Sequence, residues 1–440
     1  MKDAGAEVHY RDDERATFRM LTGDLESWIE VVAVDEGYMV TVIDDLAGSG
    51  IPALDWQVAP AGSLAAIGIA HPALHPESDL SVADIQALRP PMVTYYVSAG
   101  EGEGGDGSET NPFGTIGQAL EHADALQAMK VRVMLGYGVY EENITTRRAT
   151  DIIGDETIPK IRGRIDGAGS ALALENVEIR EAADWGVRQA GGTLEMTNCR
   201  VIETRRSGGD PTSGRGVTLS GGAEAIFTDC VFRSNEGQAL LLTGEGTKAT
   251  CSDLQATYNR VHPAAAQIAA ESNDVSGTGC IEVTEGAKLQ MEEFDLVGNE
   301  FIGVLLLGGS STHLRYGRID GTESLENRGG LNLSALYECL VELQHIVTSN
   351  GMCGLFMFHS WLRVIDIELI GNSIGIAFQE PPEGYDLAAC LYAFEGNIRM
   401  ENNGINFDSP GAMTVPDHSD ILGDDGSDGA EPDCPEVLWE

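Results

Sequence analysis

From Ile152 to Phe407 apolar and polar residues alternate in short runs. "TLEMTNC" from Thr193, "LVELQHIV" from Leu340 and "LRVIDIEL" from Leu362 each read as a strand with one buried face, and no helical pattern of core length appears in this span. The alternation is interrupted in a regular way. In "DIELIGNSIGIAF", Asp366–Phe378, Asn372 stands where a core residue is expected and Gly375 opens the next aliphatic run. The same order returns at Phe232, Asn235 and Ala239, at Leu296, Asn299 and Gly303, and at Val347, Asn350 and Gly354. Looser copies lie at Asn259, at Asn327 with Gly330, and at Asn402 and Asn403 with Gly404. Successive asparagines are 24, 40, 28, 23, 22 and about 30 positions apart, so the chain repeats in units near 22 residues with loops inserted.

A unit of that length holds three short strands joined by turns. Asn tolerates the left-handed backbone of a tight bend, and asparagines stacked coil over coil can pair with those above and below, satisfying polar groups that the bend would bury. Asn235, Asn299, Asn350 and Asn372 are therefore expected to be structural and to mark a corner. The expected fold is all-β: a parallel β-helix solenoid of about eight or nine coils, which grows along one axis and escapes the usual limit on a single core. Glycine, 54 of 440 residues, fits a chain that turns every few positions.

Ahead of the repeats, "YYVSAGEGEGGDGSETNPFGTIGQALEHADALQAMKVRVMLGYGVYEENITT", Tyr95–Thr146, carries one helical pattern. Ile116, Ala119, Leu120, Ala123 and Leu126 form an apolar face, predicting a helix from Ile116 to about Met129 with Thr115 as N-cap, suited to covering the open end of a stacked core. This segment resembles the opening of right-handed parallel β-helix proteins of the pectin-lyase-like superfamily. There a strand, a loop rich in Gly, Asp and Asn, an Asn-Pro-Phe-x-Thr turn, a capping helix and a strand ending in Gly-x-Tyr-x-Glu follow one another. The matching residues are Asn111, Pro112, Phe113, Thr115, Gly138, Tyr140 and Glu141, and the resemblance spans residues 94 to 407. It implies a right-handed β-helix with an N-terminal capping helix. It implies no particular activity, because the superfamily holds lyases, hydrolases, adhesins and surface proteins.

The expected organisation is a small β-sandwich-like module over residues 1–91, the β-helix with its cap over 92–409 (opening segment 94–146), and an acidic, flexible tail over 410–440. In the first part "WIEVVAV" from Trp28, "YMVTVIDD" from Tyr38 and "SLAAIGIAHPAL" from Ser63 read as strands between turn residues. The tail carries nine Asp or Glu and no Lys or Arg. Its "DDGSDG" lacks the ligand count of a complete calcium loop.

Charge narrows the function. A net charge of −43 repels phosphate backbones and anionic lipid, which disfavours nucleic acid and polybasic membrane attachment. No apolar run approaches a membrane span. "KDAGAEVHYRDDERATF" after Met1 is too polar for a secretion signal, so the secreted or cell-envelope location suggested by the resemblance and by the acidity requires a leader removed from this chain. Eight cysteines include no CxxC. Cys199 and Cys230 occupy the same place in adjacent coils, either bonded to each other or packed as small buried side chains.

Candidate chemistry is sparse. Two copies of "GRIDG" put Arg164 and Asp166, and Arg318 and Asp320, at i and i+2 on one strand face, the weak catalytic candidates. "IRGRIDGAG" resembles the Ile-Asp-Gly-x-Gly turn of polygalacturonase-like hydrolases, but their Asn-Thr-Asp, Asp-Asp, Gly-His-Gly and Arg-x-Lys elements are absent from the following coils. His313 and His345 read as ordinary face residues. Trp185, Trp361, Tyr385 and Tyr392 are candidates for an aromatic binding strip, and Glu101, Glu103, Asp106 and Glu109 for a Ca²⁺ site. The leading expectation is a non-catalytic protein presenting a rigid surface to an extracellular glycan or surface protein. The alternative is a polysaccharide lyase or glycoside hydrolase, which predicts carboxylates and an arginine converging in one groove.

Overall fold

A computed structural model describes residues 6–11, 15–22, 25–34, 37–46, 53–60 and 92–408, apart from 101–103, 127, 129, 208–212, 262–264, 269–274, 326–327 and 380–391. Two units separate within the chain, one of Met1–Val93 with Asp124–Lys130, the other of Thr94–Ala123 and Val131–Glu440. The acidic tail and the stretch from Ser63 lie outside the described residues.

The first unit is a five-stranded antiparallel meander in sequence order, Ala6–Arg11, Arg15–Thr22, Leu25–Val34, Gly37–Leu46 and Ala53–Pro60. Where a sandwich-like module was expected, the described residues form this one sheet. Tight hairpins pair Thr22 with Leu25 and Val34 with Gly37.

The second unit is a parallel β-helix with three faces. The first and second faces belong to one 17-stranded sheet, and the third is an 11-stranded sheet running from Ile144–Thr145 to Ile405–Asp408. The strands of these two sheets pair in parallel with their counterparts one coil away, as Leu254 with Phe294, Phe294 with Gly317 and Gly317 with Ile346; Ser324–Leu325 and Arg328–Gly329 form a separate antiparallel hairpin. The eleven rungs of the third face exceed the eight or nine coils expected from the asparagines. The first two rungs, Ile144–Thr145 and Ile165–Asp166, are two residues long and precede the Asn motif.

Left-handed residues make the corners. At the first corner one residue per coil turns the chain from the first face to the second: Asn198 (φ 50°), Asp229 (53°), Asp253 (54°), Glu293 (54°), Tyr316 (50°) and His345 (53°). At the second corner, leading to the third face, the row runs from Glu203 (57°) through Ser234, Tyr258 (56°), Gly298, Gly321 and Asn350 (54°) to Gly371. Each non-glycine residue held this way costs roughly 1–2 kcal/mol, but no backbone bond is lost: the Asn198, Asp229 and Tyr258 N–H groups donate to Thr228, Ser252 and Val297 carbonyls one coil on.

The residue after each second-corner turn points inward, and there an amide ladder forms. Asn235 Nδ2 donates to Asn259 Oδ1 at 2.9 Å, and Asn259 Nδ2 donates to Asn299 Oδ1 at 3.1 Å. Asn235, Asn259, Asn299 and Asn372 are all at most 1% exposed. Asn350 meets half of the expected role: it is the left-handed corner residue, but it is exposed and Gly351 takes the inward place, whereas Asn235, Asn299 and Asn372 supply the ladder and the residue before each makes the turn. Asn332 fills the gap from the third face, donating to Asn372 Oδ1 at 3.1 Å and to the Ser349 carbonyl at 3.1 Å. The small residue that follows each Asn is explained by space. A Cβ on Gly303 would lie 2.5 Å from the Asn332 carbonyl oxygen and 2.8 Å from Ile319 Cγ2.

The helix runs from Ile116 to Ala125, shorter than predicted, and Leu126 is exposed rather than part of the apolar face; Ile116, Ala119 and Ala123 are buried. Thr115 Oγ1 accepts the Gln118 N–H at 3.2 Å and Gln118 Oε1 accepts the Thr115 N–H at 3.1 Å, a reciprocal cap. Glu142 adds its carboxylate, accepting the Ile116 and Gly117 N–H groups at 2.8 Å each. The 40-residue spacing between Asn259 and Asn299 is an insertion folded back on the outer side of the third face, where Val261 and Ala265 pack against Phe301, Leu305 and Leu336.

Candidate functional site

A groove follows the second corner along the stacking direction. Its first stretch, about 580 Å³, is lined by Glu203, Arg205, Glu236, Tyr258, Arg260, Glu300 and Glu323. Its continuation, about 740 Å³, shares Glu323 and runs over Gly321, Asn350, Gly351, Met352, Gly371 and Ser373. With coils about 4.8 Å apart, the row from Glu203 to Gly371 spans about 29 Å. Tyr258 lies across the coil above: a Cβ on Gly298 would meet its Cε1 at 2.7 Å, and the residue remains 59% exposed. An exposed aromatic ring resting on a glycine, with planar charged side chains around it, suits a sugar ring.

Carboxylates and arginines do converge here, as the enzymatic alternative predicts. Their bonds give them structural work. Glu203 accepts Arg180 Nη2 at 2.7 Å, Glu236 accepts the Arg206 backbone N–H at 2.9 Å, and Glu300 accepts the Val261 N–H at 3.0 Å. Among the described residues no group of three or more His, Cys, Asp or Glu is placed to hold a metal ion.

The two GRIDG copies occupy different places. Arg164 and Asp166 fall on the third face, Arg318 and Asp320 on the second. In the first copy each residue pairs across coils, Arg164 Nη1 with Asp184 Oδ2 at 3.1 Å and Asp166 with Arg188. The structure gathers these around Trp185, whose ring has the Arg164 and Arg188 guanidinium carbons at 4.5 and 4.1 Å from its centroid. The indole expected to bind a ligand is already engaged by cations. In the second copy Arg318 contacts Asp295 Oδ1 at 3.2 Å, and Asp320 Oδ1 accepts Ser349 Oγ at 2.8 Å and Asn350 Nδ2 at 2.7 Å.

Trp361 is half-buried at the start of Trp361–Ile370 in the first face. Tyr392 begins the strand Tyr392–Glu401, with its side chain outside the described residues, as is all of Tyr385. The four aromatics therefore do not form a described strip. Of the loop carboxylates, Glu101 and Glu103 lie outside the described residues and Glu109 is exposed. Asp106 accepts the Ser108 N–H at 2.9 Å, and hydrogen bonding to Ser108 holds its carboxyl below the usual range. His313 sits in the first face, its imidazole pKa lowered chiefly by burial, with Glu342 3.9 Å away; His345 stands at the first corner.

Cys199 and Cys230 are buried free thiols, not a disulfide, and so are the other four described cysteines. Burial pushes Cys199 up to about 12 and Cys230 to about 11.

Two residues went unnoticed in the sequence. Tyr258 holds the corner place that Ser234, Gly298, Asn350 and Gly371 take in the clear motif copies, a signal available once the place is known. Glu282 is 3% exposed on the outer side of the third face, accepting Gln238 Nε2 and the Gly277 N–H at 2.8 Å each. Burial raises its pKa to about 7. Nothing in "CIEVTEG" distinguishes it from a solvated strand glutamate.

No family model matches this chain, and no curated protein matches it. Among solved structures it is similar to the pectin methylesterase from Aspergillus niger in deglycosylated form, at 14% identity over 76% of this chain and 94% of that one, with a TM-score of 0.30. The penultimately deglycosylated form of that enzyme gives the same identity and coverage with a TM-score of 0.29. The β-helix assignment stands on the strand pairing described above.

Proposed function

We propose that this chain is a non-catalytic, glycan-binding β-helix of the secreted or cell-envelope kind, holding an extended polysaccharide along the second-corner groove. The observation that carries this reading is Tyr258, laid over Gly298 in mid-groove with the residue 59% exposed. Glu203, Glu236 and Glu300 each hold an arginine or a backbone N–H, so structural work accounts for these three groove carboxylates. Net charge of −43 favours an uncharged glycan over a polyuronate.

The test is a panel of neutral and acidic polysaccharides, read for binding and for unsaturated-product absorbance with and without Ca²⁺. Binding of a neutral polymer without product is expected, weakened about tenfold by Tyr258→Ala, since an aromatic contact contributes ~1.5 kcal/mol. Unsaturated product that disappears with EDTA would replace this reading by the lyase alternative.

A further inference from the structure

A second groove, about 400 Å³, runs along the first corner, on the opposite edge of the second face. Tyr316 and His345 form one wall. Earlier coils place Asn198, Asp229 and Asp253 at this corner, whereas these two adjacent coils hold bulky rings in the same left-handed conformation. The rings stack with centroids 4.9 Å apart and planes 10° from parallel. His345 Nδ1 lies 3.4 Å from Asp366 Oδ2, and Asp366 is itself fixed by accepting the Asn397 N–H at 2.6 Å. The shelf is therefore held in place, with Tyr316 46% exposed.

The opposite wall is a row at one outward position in successive coils: Gln255, Asp295 and Arg318. Amide, carboxylate and guanidinium thus follow one another at about 4.8 Å steps; Arg318 Nε is paired with Asp295 Oδ1 at 3.2 Å, which holds the two planar groups in place and leaves Asp295 Oδ2 facing a ligand hydroxyl. Asp253, Glu293 and Asp295 outnumber Arg318 among the lining groups, which disfavours an anionic ligand.

We infer that this groove is a second glycan track, so that the second face carries two uncharged polysaccharide chains side by side, one along each edge. The inference rests on the glycan-binding reading of the second-corner groove. Gly321 is five residue steps from Tyr316 across that face, about 16 Å at strand spacing. The two tracks are far enough apart for separate chains and close enough for neighbours in a packed polymer.

Calorimetric titration of the full chain with cellohexaose, xylohexaose and mannohexaose tests this. Two sites per chain are expected for the hexasaccharide that binds. Tyr316→Asn, which installs a residue native to this corner in other coils, should leave one site with unchanged affinity, and adding Tyr258→Ala should weaken that remaining site about tenfold. A single site in the unmodified chain, weakened by Tyr258→Ala and untouched by Tyr316→Asn, overturns the second track while leaving the first. Two sites that both survive Tyr316→Asn also overturn it. No binding of any of the three probes overturns the glycan reading and this inference with it.

Discussion

Glu282 supplies the most quantitative prediction. Its carboxylate is buried on the outer side of the third face beneath the insertion that follows Asn259, where it accepts the Gly277 N–H at 2.8 Å, the Gly279 N–H at 3.5 Å and Gln238 Nε2 at 2.8 Å. Gln238 in turn accepts Arg215 Nε at 2.6 Å, and Arg215 is the charged group that acts on the carboxylate. Desolvation outweighs these donors and Arg215, raising the group from 4.5 to about 7. A carboxyl whose folded pKa is raised stabilises the fold fully below 4.5 and loses that contribution as pH climbs through about 7. The difference corresponds to about 3 kcal/mol, or a factor on the order of 300 in a local opening equilibrium. Hydrogen exchange at Val275–Gly279, corrected for the intrinsic rate, should therefore show protection falling roughly 75-fold between pH 5 and 9, the rest of that factor being lost already below pH 5. Glu282→Gln keeps an acceptor and cannot ionise, so its protection should stay flat. Equal protection across the range in the unmodified chain, or an identical slope in the variant, would refute the burial argument.

Asn259→Ala removes a ladder amide that accepts the Asn235 N–H at 3.1 Å and Nδ2 at 2.9 Å and donates to Phe232 and Asn299. Stranding these buried groups should cost about 2–5 kcal/mol, read as a lowered urea midpoint; an unchanged midpoint would show that water replaces the amide. Gly303→Ala should cost about 1–3 kcal/mol because its Cβ has backbone on one side at 2.5 Å, and wild-type thermal stability would contradict that packing. Cys199 and Cys230, fully buried and pushed to about 12 and 11, should resist iodoacetamide in the native chain and react in urea; native labelling at the rate of a free thiol would mean the coil opens there.

The repeat was legible because each coil must pay the same local demand, a left-handed turn followed by an inward polar group, and few residue types meet it. The phase of that demand was not. Asn350 and Asn235 both follow a serine, but Asn is competent as the turn residue as well as the ladder residue, so sequence alone gave both one role where the structure makes Asn350 the turn and Asn235 the ladder. Likewise "GRIDG" occurs twice with one local pattern, and only the register of stacking put its copies on different faces.

The sequence by itself determined the strand period, the asparagine corner, the helix start at Thr115 and the solenoid class, since these depend on residues within a few positions of one another. The tertiary structure alone decided which side chains share a groove. Residues one coil apart, such as Tyr258 and Gly298 or Tyr316 and His345, are 40 and 29 positions apart in the chain yet about 4.8 Å apart in the stack. Insertions of unequal length between coils erase any fixed spacing that could have announced those neighbours.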